Sequence, residues 1–127
     1  MHARSIAGAE FAEAIGAGIV FVDFWAAWCG PCRAFAPIFS RSAAAHPDVA
    51  FLKVDTEAEP DLATALRVSS IPTLMAFRDG ILLFRHAGLI PEDGLHSLVE
   101  QLRALDMDEI RARLEAADDL AAEDTGT

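Results

Sequence analysis

Cys29 and Cys32 are the only cysteines in this chain of 127 residues, and they stand where a strand signal gives way to a helix signal. The run Ile19 to Trp25 is β-branched and aromatic, broken only by Asp23, and reads as a buried strand. The Ala-rich run after Cys32 reads as a helix to about Ala45. The first cysteine therefore falls at a helix N-terminus. Unpaired N–H groups and the positive end of the helix dipole meet there. A thiolate at that place is stabilised and becomes nucleophilic near neutral pH. Cys32, three positions on, can close a small disulfide with it but points inward. Gly30 is read as letting the backbone turn tightly. Pro31 suits a first helical turn, where a missing N–H costs nothing. The chemistry this placement implies is thiol–disulfide exchange.

Two cysteines at this spacing are too few for a structural disulfide framework. In a reducing compartment they read as redox-active or metal-binding. Zinc needs two more ligands, and no two of His2, His46, His86 and His96 have ligand-like spacing. No metal and no bound cofactor are expected. The net charge of −10 argues against nucleic acid. No apolar run approaches the ~20 residues of a membrane span. Glu10 and Glu13 interrupt the only candidate leader region, so a cytoplasmic location is expected.

The remaining chain reads as alternating elements. Residues 3 to 6 suggest an edge strand and residues 8 to 16 a helix, with Phe11 and Ile15 on one face. Pro37 lies inside the helix after the cysteines and should bend it. Val49 to Val54 is a second central strand, and residues 60 to 68 a helix. Strand–helix–strand–helix order implies a parallel pair. Thr73 to Phe77 and Ile81 to His86 flank Arg78-Asp79-Gly80, a strong hairpin signal. Pro91 to Leu105 is a helix. The sum is an α/β chain with a mixed sheet of four to five strands and helices on both faces.

Residues 106 to 127 differ in character, with eight acids against two arginines. The expected division is a domain over 1–105 and an extension over 106–127. Asp106 and Glu109 can cap a further helix, with Met107, Ile110, Leu114 and Ala117 as a thin apolar stripe. Asp118 to Thr127 reads as a disordered acidic tail. The extension is read as packing on the domain or as a docking or dimerising helix.

The segment Val22-Asp23-Phe24-Trp25 followed by Trp28-Cys29-Gly30-Pro31-Cys32 is similar to the active site of the thioredoxin family, and the resemblance spans about residues 3 to 105. It implies the thioredoxin fold and a protein-disulfide reductase. Cys29 would attack a client disulfide, and Cys32 would resolve the mixed disulfide. The resemblance assigns Asp23 as the general base that takes the proton of Cys32. Burial alone should raise its pKa, although a carboxylate satisfied by a backbone or hydroxyl partner is the rival reading. An X-Pro bond is usually trans, whereas the resemblance makes Ile71-Pro72 cis, packed against the disulfide and open to an extended client by strand addition. Trp25, Trp28, Gly30, Pro31, Ile71, Pro72, Gly88 and Leu89 would form the client-binding rim. Trp25 could equally be core, and Gly88 a simple strand end. The implied partners are disulfide-bearing clients and an NADPH-dependent flavoprotein thioredoxin reductase, with the protein itself a monomer serving electron transport and cell redox homeostasis.

The sequence departs from the family pattern in places. Phe51 replaces a lysine that packs near the buried aspartate in many bacterial members. Lys53, the only lysine, is expected on the opposite strand face, which leaves Asp23 without a charged neighbour. Arg67 replaces a helix-ending glycine, and Pro91 a capping serine. The rival readings are an oxidant or isomerase working outside the cytosol, and a binding module that uses the fold as a scaffold and the C-terminal helix as its docking element.

Overall fold

The computed structural model describes residues 3–125, with side chains as far as residue 120. Five strands form one sheet in the order β1-β3-β2-β4-β5. They are β1 (Arg4–Ser5), β2 (Ile19–Trp25), β3 (Ala50–Asp55), β4 (Thr73–Arg78) and β5 (Ile81–Ala87). β3 runs parallel to both β1 and β2, whereas β4 is antiparallel to β2 and β5. This is the thioredoxin fold, and the sheet of four to five strands is a sheet of five.

The helices are α1 (Phe11–Ala14), α2 (Gly30–Ala45), α3 (Pro60–Ala65), α4 (Glu92–Ala104) and α5 (Met107–Thr125). α2 and α4 cover one face. Phe35, Phe39 and Ala43 from α2 and Leu95, Val99 and Leu102 from α4 pack there on Phe21, Phe51, Leu74 and Ala76. Phe11 of α1 and Leu62 of α3 pack on Val20, Val22, Phe24, Leu52, Val54 and Met75 on the other. Because both faces of β2 are covered, both of its alternating side-chain sets are apolar, as a central strand requires. Asp23 is the exception and is fully buried.

Several boundaries differ from the expectation. The helix expected over residues 8 to 16 is a 3-10 turn, Gly8–Glu10, followed by one turn of α-helix. Gly8, Gly16 and Gly18 leave too few helix formers for more. α2 begins at Gly30 rather than Cys32, with Cys29 as its N-cap and Pro37 inside it. α5 runs through Thr125, past Asp118 where composition indicated a disordered tail. Its Ala-rich stretch lacks glycine and proline before Gly126, which favours helix locally. Gly126 and Thr127 lie outside the described residues. Met107 is buried and Ile110 half-buried, but every residue from Arg111 to Leu120 is exposed. The hairpin forms as expected, with positive φ at both Asp79 (54°) and Gly80 (82°). Arg78 then binds the end of α4, its guanidinium donating to the carbonyls of Leu102 (2.6 Å) and Leu105 (3.1 Å).

α3 stops at Ala65 because Arg67 has φ +57°. This is the left-handed conformation expected of a glycine at a helix end. Arg85 of β5 donates to the carbonyls of Leu66 and Arg67 and holds the turn in place. Arg67→Gly is expected to raise stability by up to about 1 kcal/mol, the left-handed strain of a side chain exceeding the extra backbone entropy of glycine. Thermal unfolding checks this, and a lower melting temperature would refute it.

Candidate active site

The site lies where β2 ends and α2 begins. The Cys29 N–H is hydrogen-bonded to Ala26 O at 3.2 Å, which closes a turn and delivers Cys29 to the N-cap. Cys29 and Cys32 are joined as a disulfide, with Cα atoms 5.2 Å apart. The Cys29 sulfur accepts a hydrogen bond from the Cys32 N–H at 3.2 Å. One of the orphan donors of the first turn thus points at the reacting sulfur, where it favours negative charge. Both cysteines are largely covered, with 4% of Cys29 and 3% of Cys32 exposed. Gly30 is not in a left-handed conformation, contrary to the tight-turn reading. A Cβ placed there would meet nothing within 4 Å, so neither backbone conformation nor space requires glycine at this position.

Ala26, Cys29 and Cys32 form a small cluster, with Trp25 and Ile71 packed against it. Trp25 is half-buried rather than pure core, and its indole Nε1 is buried without a hydrogen-bond partner. Ile71-Pro72 is cis, as the family resemblance implied and the base rate did not. The Ile71 carbonyl oxygen lies 3.6 Å from the Cys29 sulfur. The Gly88 N–H donates to Pro72 O at 2.8 Å, so the turn after β5 is tied to the strand start of β4. Gly88 has φ +110°, a conformation that disfavours any side chain, which is more than a strand end requires. Leu89, next to it, is an exposed apolar side chain. Trp28 is the most exposed of these, at 66%.

Two neighbours were not legible in the sequence. Glu57, in the loop after β3, accepts a hydrogen bond from the Trp28 indole at 2.6 Å and fixes that ring beside the cysteines. Thr56 donates through both its N–H (2.9 Å) and its hydroxyl (3.0 Å) to Trp25 O, fastening the same loop to the end of β2. Nothing in local periodicity connects these residues, which are far apart in sequence.

Asp23 shares the α2 face of the sheet with Phe21. Neither of its oxygens has a hydrogen-bond partner, so the rival reading of a carboxylate satisfied by backbone or hydroxyl is not met. Burial pushes its pKa up to about 7, and Lys53 pulls in the opposite direction. Lys53 is thus not on the opposite face. Positions 51 and 53 are two apart in one strand and therefore share a face, and Lys53 is the register partner of Asp23 in the parallel pair.

Two of the histidines, which sequence spacing did not connect, meet in the structure. His46 Nε2 and His96 Nδ1 are 2.8 Å apart. Arg103, which can only donate, lies 3.2 Å from His46 Nδ1. His46 therefore accepts on Nδ1 and donates from Nε2 to His96. Burial first, then the Arg103 and His96 charges, hold the His46 pKa below its ordinary value. The ring centroids are 5.0 Å apart and the rings are tilted by 53°. Among the described residues no group of three or more His, Cys, Asp or Glu could hold a metal, and no helix is long and apolar enough to cross a membrane. His2 lies outside the described residues.

Comparison with known proteins agrees with this geometry. The thioredoxin family model matches residues 2–101. Putative thioredoxin 2 of Streptomyces coelicolor is 52% identical over 92 residues, covering 72% of this chain and 69% of the relative. The thioredoxin of Chlamydia trachomatis is 44% identical over 92 residues, covering 72% of this chain and 90% of that protein. Among solved structures, chloroplastic thioredoxin z superposes with a TM-score of 0.76 at 29% identity, over 83% of this chain and 97% of that one. Mitochondrial thioredoxin 3 of Saccharomyces cerevisiae, in its oxidized form, gives 0.71 at 30% identity, over 78% and 94%.

Proposed function

This chain belongs to the thioredoxin family and is a disulfide oxidoreductase, and we propose that it works in the reducing direction on protein disulfides. The observation that carries the reading is the Cys29–Cys32 pair at the N-terminus of α2, facing the Ile71 carbonyl. In the reduced protein the Cys29 thiolate attacks one sulfur of a client disulfide. A Cys29–client disulfide forms, and the other client sulfur leaves as a thiolate. Asp23 takes the proton of Cys32, directly or through a water. The Cys32 sulfur then attacks Cys29, the second client thiolate leaves, and the Cys29–Cys32 disulfide remains. Two electrons pass to the client. Asp23 suits the task because a pKa of about 7 matches the proton acceptor to neutral pH.

Clients lie across the rim of Trp28, Gly30, Pro31, Ile71, Pro72, Gly88 and Leu89, with the Ile71 backbone as the strand-addition edge. An NADPH-dependent thioredoxin reductase recharges the disulfide at the same rim. The protein binds no cofactor, acts as a monomer and works in the cytoplasm, where the glutathione and thioredoxin systems keep such a pair reduced. Residues 1–105 are the catalytic domain and 106–127 an extension to it.

The test is insulin disulfide reduction with dithiothreitol as donor, together with the redox potential of the cysteine pair. Reduction many-fold above dithiothreitol alone, with a potential at the reducing end of the family, is expected. NADPH-driven turnover with a bacterial thioredoxin reductase should follow. A folded protein that leaves insulin unreduced would overturn the reading. The exposed stretch of α5 from Arg111 to Leu120 would then be the functional surface, as in a binding module.

A further inference from the structure

We propose that the groove between β5 and α4 is a subsite for a large apolar side chain of the client, continuous with the rim around the cysteines. β5 is the last strand in the sheet order, so among the described residues its outer edge has no partner strand. Phe84 is the register partner of Ala76, which lies in the core under α2 and α4. Phe84 and His86, two residues apart, therefore face that side of the sheet. Their rings stack 6.3 Å apart at 15°. Arg85 between them turns to the other face and donates to the carbonyls of Leu66 and Arg67, clear of the groove. α4 supplies the opposite wall. Gly94, Ser97, Leu98 and Gln101 stand at i, i+3, i+4 and i+7, a stripe beside the buried one of Leu95, Val99 and Leu102. Together the two walls enclose an open groove of about 440 Å³.

The lining selects an uncharged occupant. The chain has a net charge of −10. Two other clefts of its surface are lined by Arg4 with Asp48, and by Arg4 with Glu10 and Glu13. Among the described residues no Asp, Glu, Lys or Arg lines the groove beside β5. Its floor includes Phe84 and Leu98, which pack on the core. The Gln101 amide donates to the Ser97 hydroxyl at 3.1 Å, so the polar part of the α4 wall is already paired and demands no polar ligand. Leu89 belongs both to the groove and to the client rim, and 42% of it is exposed. Gly88, just before it, is tied to Pro72 O, next to the Ile71 carbonyl that faces the Cys29 sulfur. An extended client that pairs at Ile71 and continues past Leu89 enters the groove. From Gly94 to Gln101 the α4 wall is about 10 Å long, the reach of about three extended residues. A phenylalanine or leucine near the client's disulfide gains by burial there. An acidic residue gains nothing from the lining and is repelled by the net charge.

This inference rests on the reading of the protein as a reductase of protein disulfides, and the experiment separates the two. Peptides with one internal disulfide in an alanine background are made with a single phenylalanine, or a single aspartate, at each position from the second to the sixth residue on either side of a cysteine. kcat/KM for their reduction, with dithiothreitol as donor, is measured for the wild type, Ser97→Trp and Gln101→Trp. The two substitutions fill the groove from exposed positions of α4, and circular dichroism establishes their folding. In the wild type, phenylalanine at one or two neighbouring positions should raise kcat/KM about tenfold over alanine, chiefly through KM, as expected for half-burying an aromatic side chain away from the reacting atoms. Aspartate at those positions should give no gain. In both tryptophan variants the ratio of phenylalanine to alanine peptide should fall close to one. Equal rates for all peptides in the wild type overturn the subsite and leave the reductase standing. A phenylalanine preference that persists in the folded variants places the contact elsewhere and overturns it as well. A wild-type dimer in sedimentation that Ser97→Trp dissociates assigns the groove to a second copy instead. Peptides reduced no faster than by dithiothreitol alone overturn the reductase reading, and the subsite with it.

Discussion

Asp23→Asn is expected to stabilise the protein by about 4 kcal/mol at about pH 8 and by almost nothing at about pH 4. The sign follows from the direction of the shift. Burial raises the folded-state pKa of Asp23 from 3.8 to about 7. Between those values the folded protein keeps a proton that the unfolded chain releases. Each pH step upward through this window therefore favours unfolding. Below about pH 4 both states are protonated and the burden disappears. Above about pH 7 it is complete. Asparagine has nearly the same shape and no charge to bury, so it removes the pH-dependent part and leaves the packing. Some of the gain will be lost because an amide in this apolar place also lacks partners. Urea unfolding of wild type and variant at both pH values measures this directly. Equal stabilities at the alkaline value would show that Asp23 is not a buried acid in solution. The same variant should release clients slowly, because its amide cannot accept the proton from Cys32. An unchanged turnover would remove Asp23 from the mechanism even if the stability gain appears.

The second large effect concerns the two sulfurs, which should fail in different ways. Cys29→Ser should reduce insulin no faster than dithiothreitol alone, a loss on the order of a thousand-fold or more, since no other nucleophile reaches the client. Cys32→Ser keeps the attacking thiolate and lacks the resolving one. It should accumulate a covalent adduct with a client disulfide, visible by mass spectrometry and reversed by dithiothreitol. The assignment rests on position. Cys29 is the N-cap and carries the hydrogen bond from the Cys32 amide, so its sulfur is where negative charge is best held. It also faces the Ile71 carbonyl, where an extended client chain would lie. An adduct formed by Cys29→Ser and absent from Cys32→Ser would exchange the two roles. Both variants lack the disulfide, so their folding is compared with that of reduced wild type.

Much of this site was readable in advance because its chemistry is local. The step from an apolar strand to a helix, with one cysteine at the boundary and another a turn later, needs only short-range patterning. The Asp79-Gly80 turn was equally local, since both positions need positive φ. Where propensity was weak, the boundaries shifted. α1 shrank between glycines, and α3 ended at a left-handed Arg67 held by Arg85 from another strand. The cis bond before Pro72 came from family resemblance, and no pattern in the residues would have given it.

The sequence by itself determined the reacting pair, its helix N-terminus, the buried acid and the class of fold. These follow from which residue types occur in which order, and backbone geometry turns that order into faces and termini. Only the tertiary structure decided what stands next to them. The pairing of β2 with β3 put Lys53 across from Asp23 and over Trp25. The loop after β3 brought Glu57 to Trp28, and the packing of α2 with α4 joined His46 to His96. Such contacts depend on the register between strands and the seating of helices. Those are fixed by how the whole core packs, and no local window of sequence contains that information.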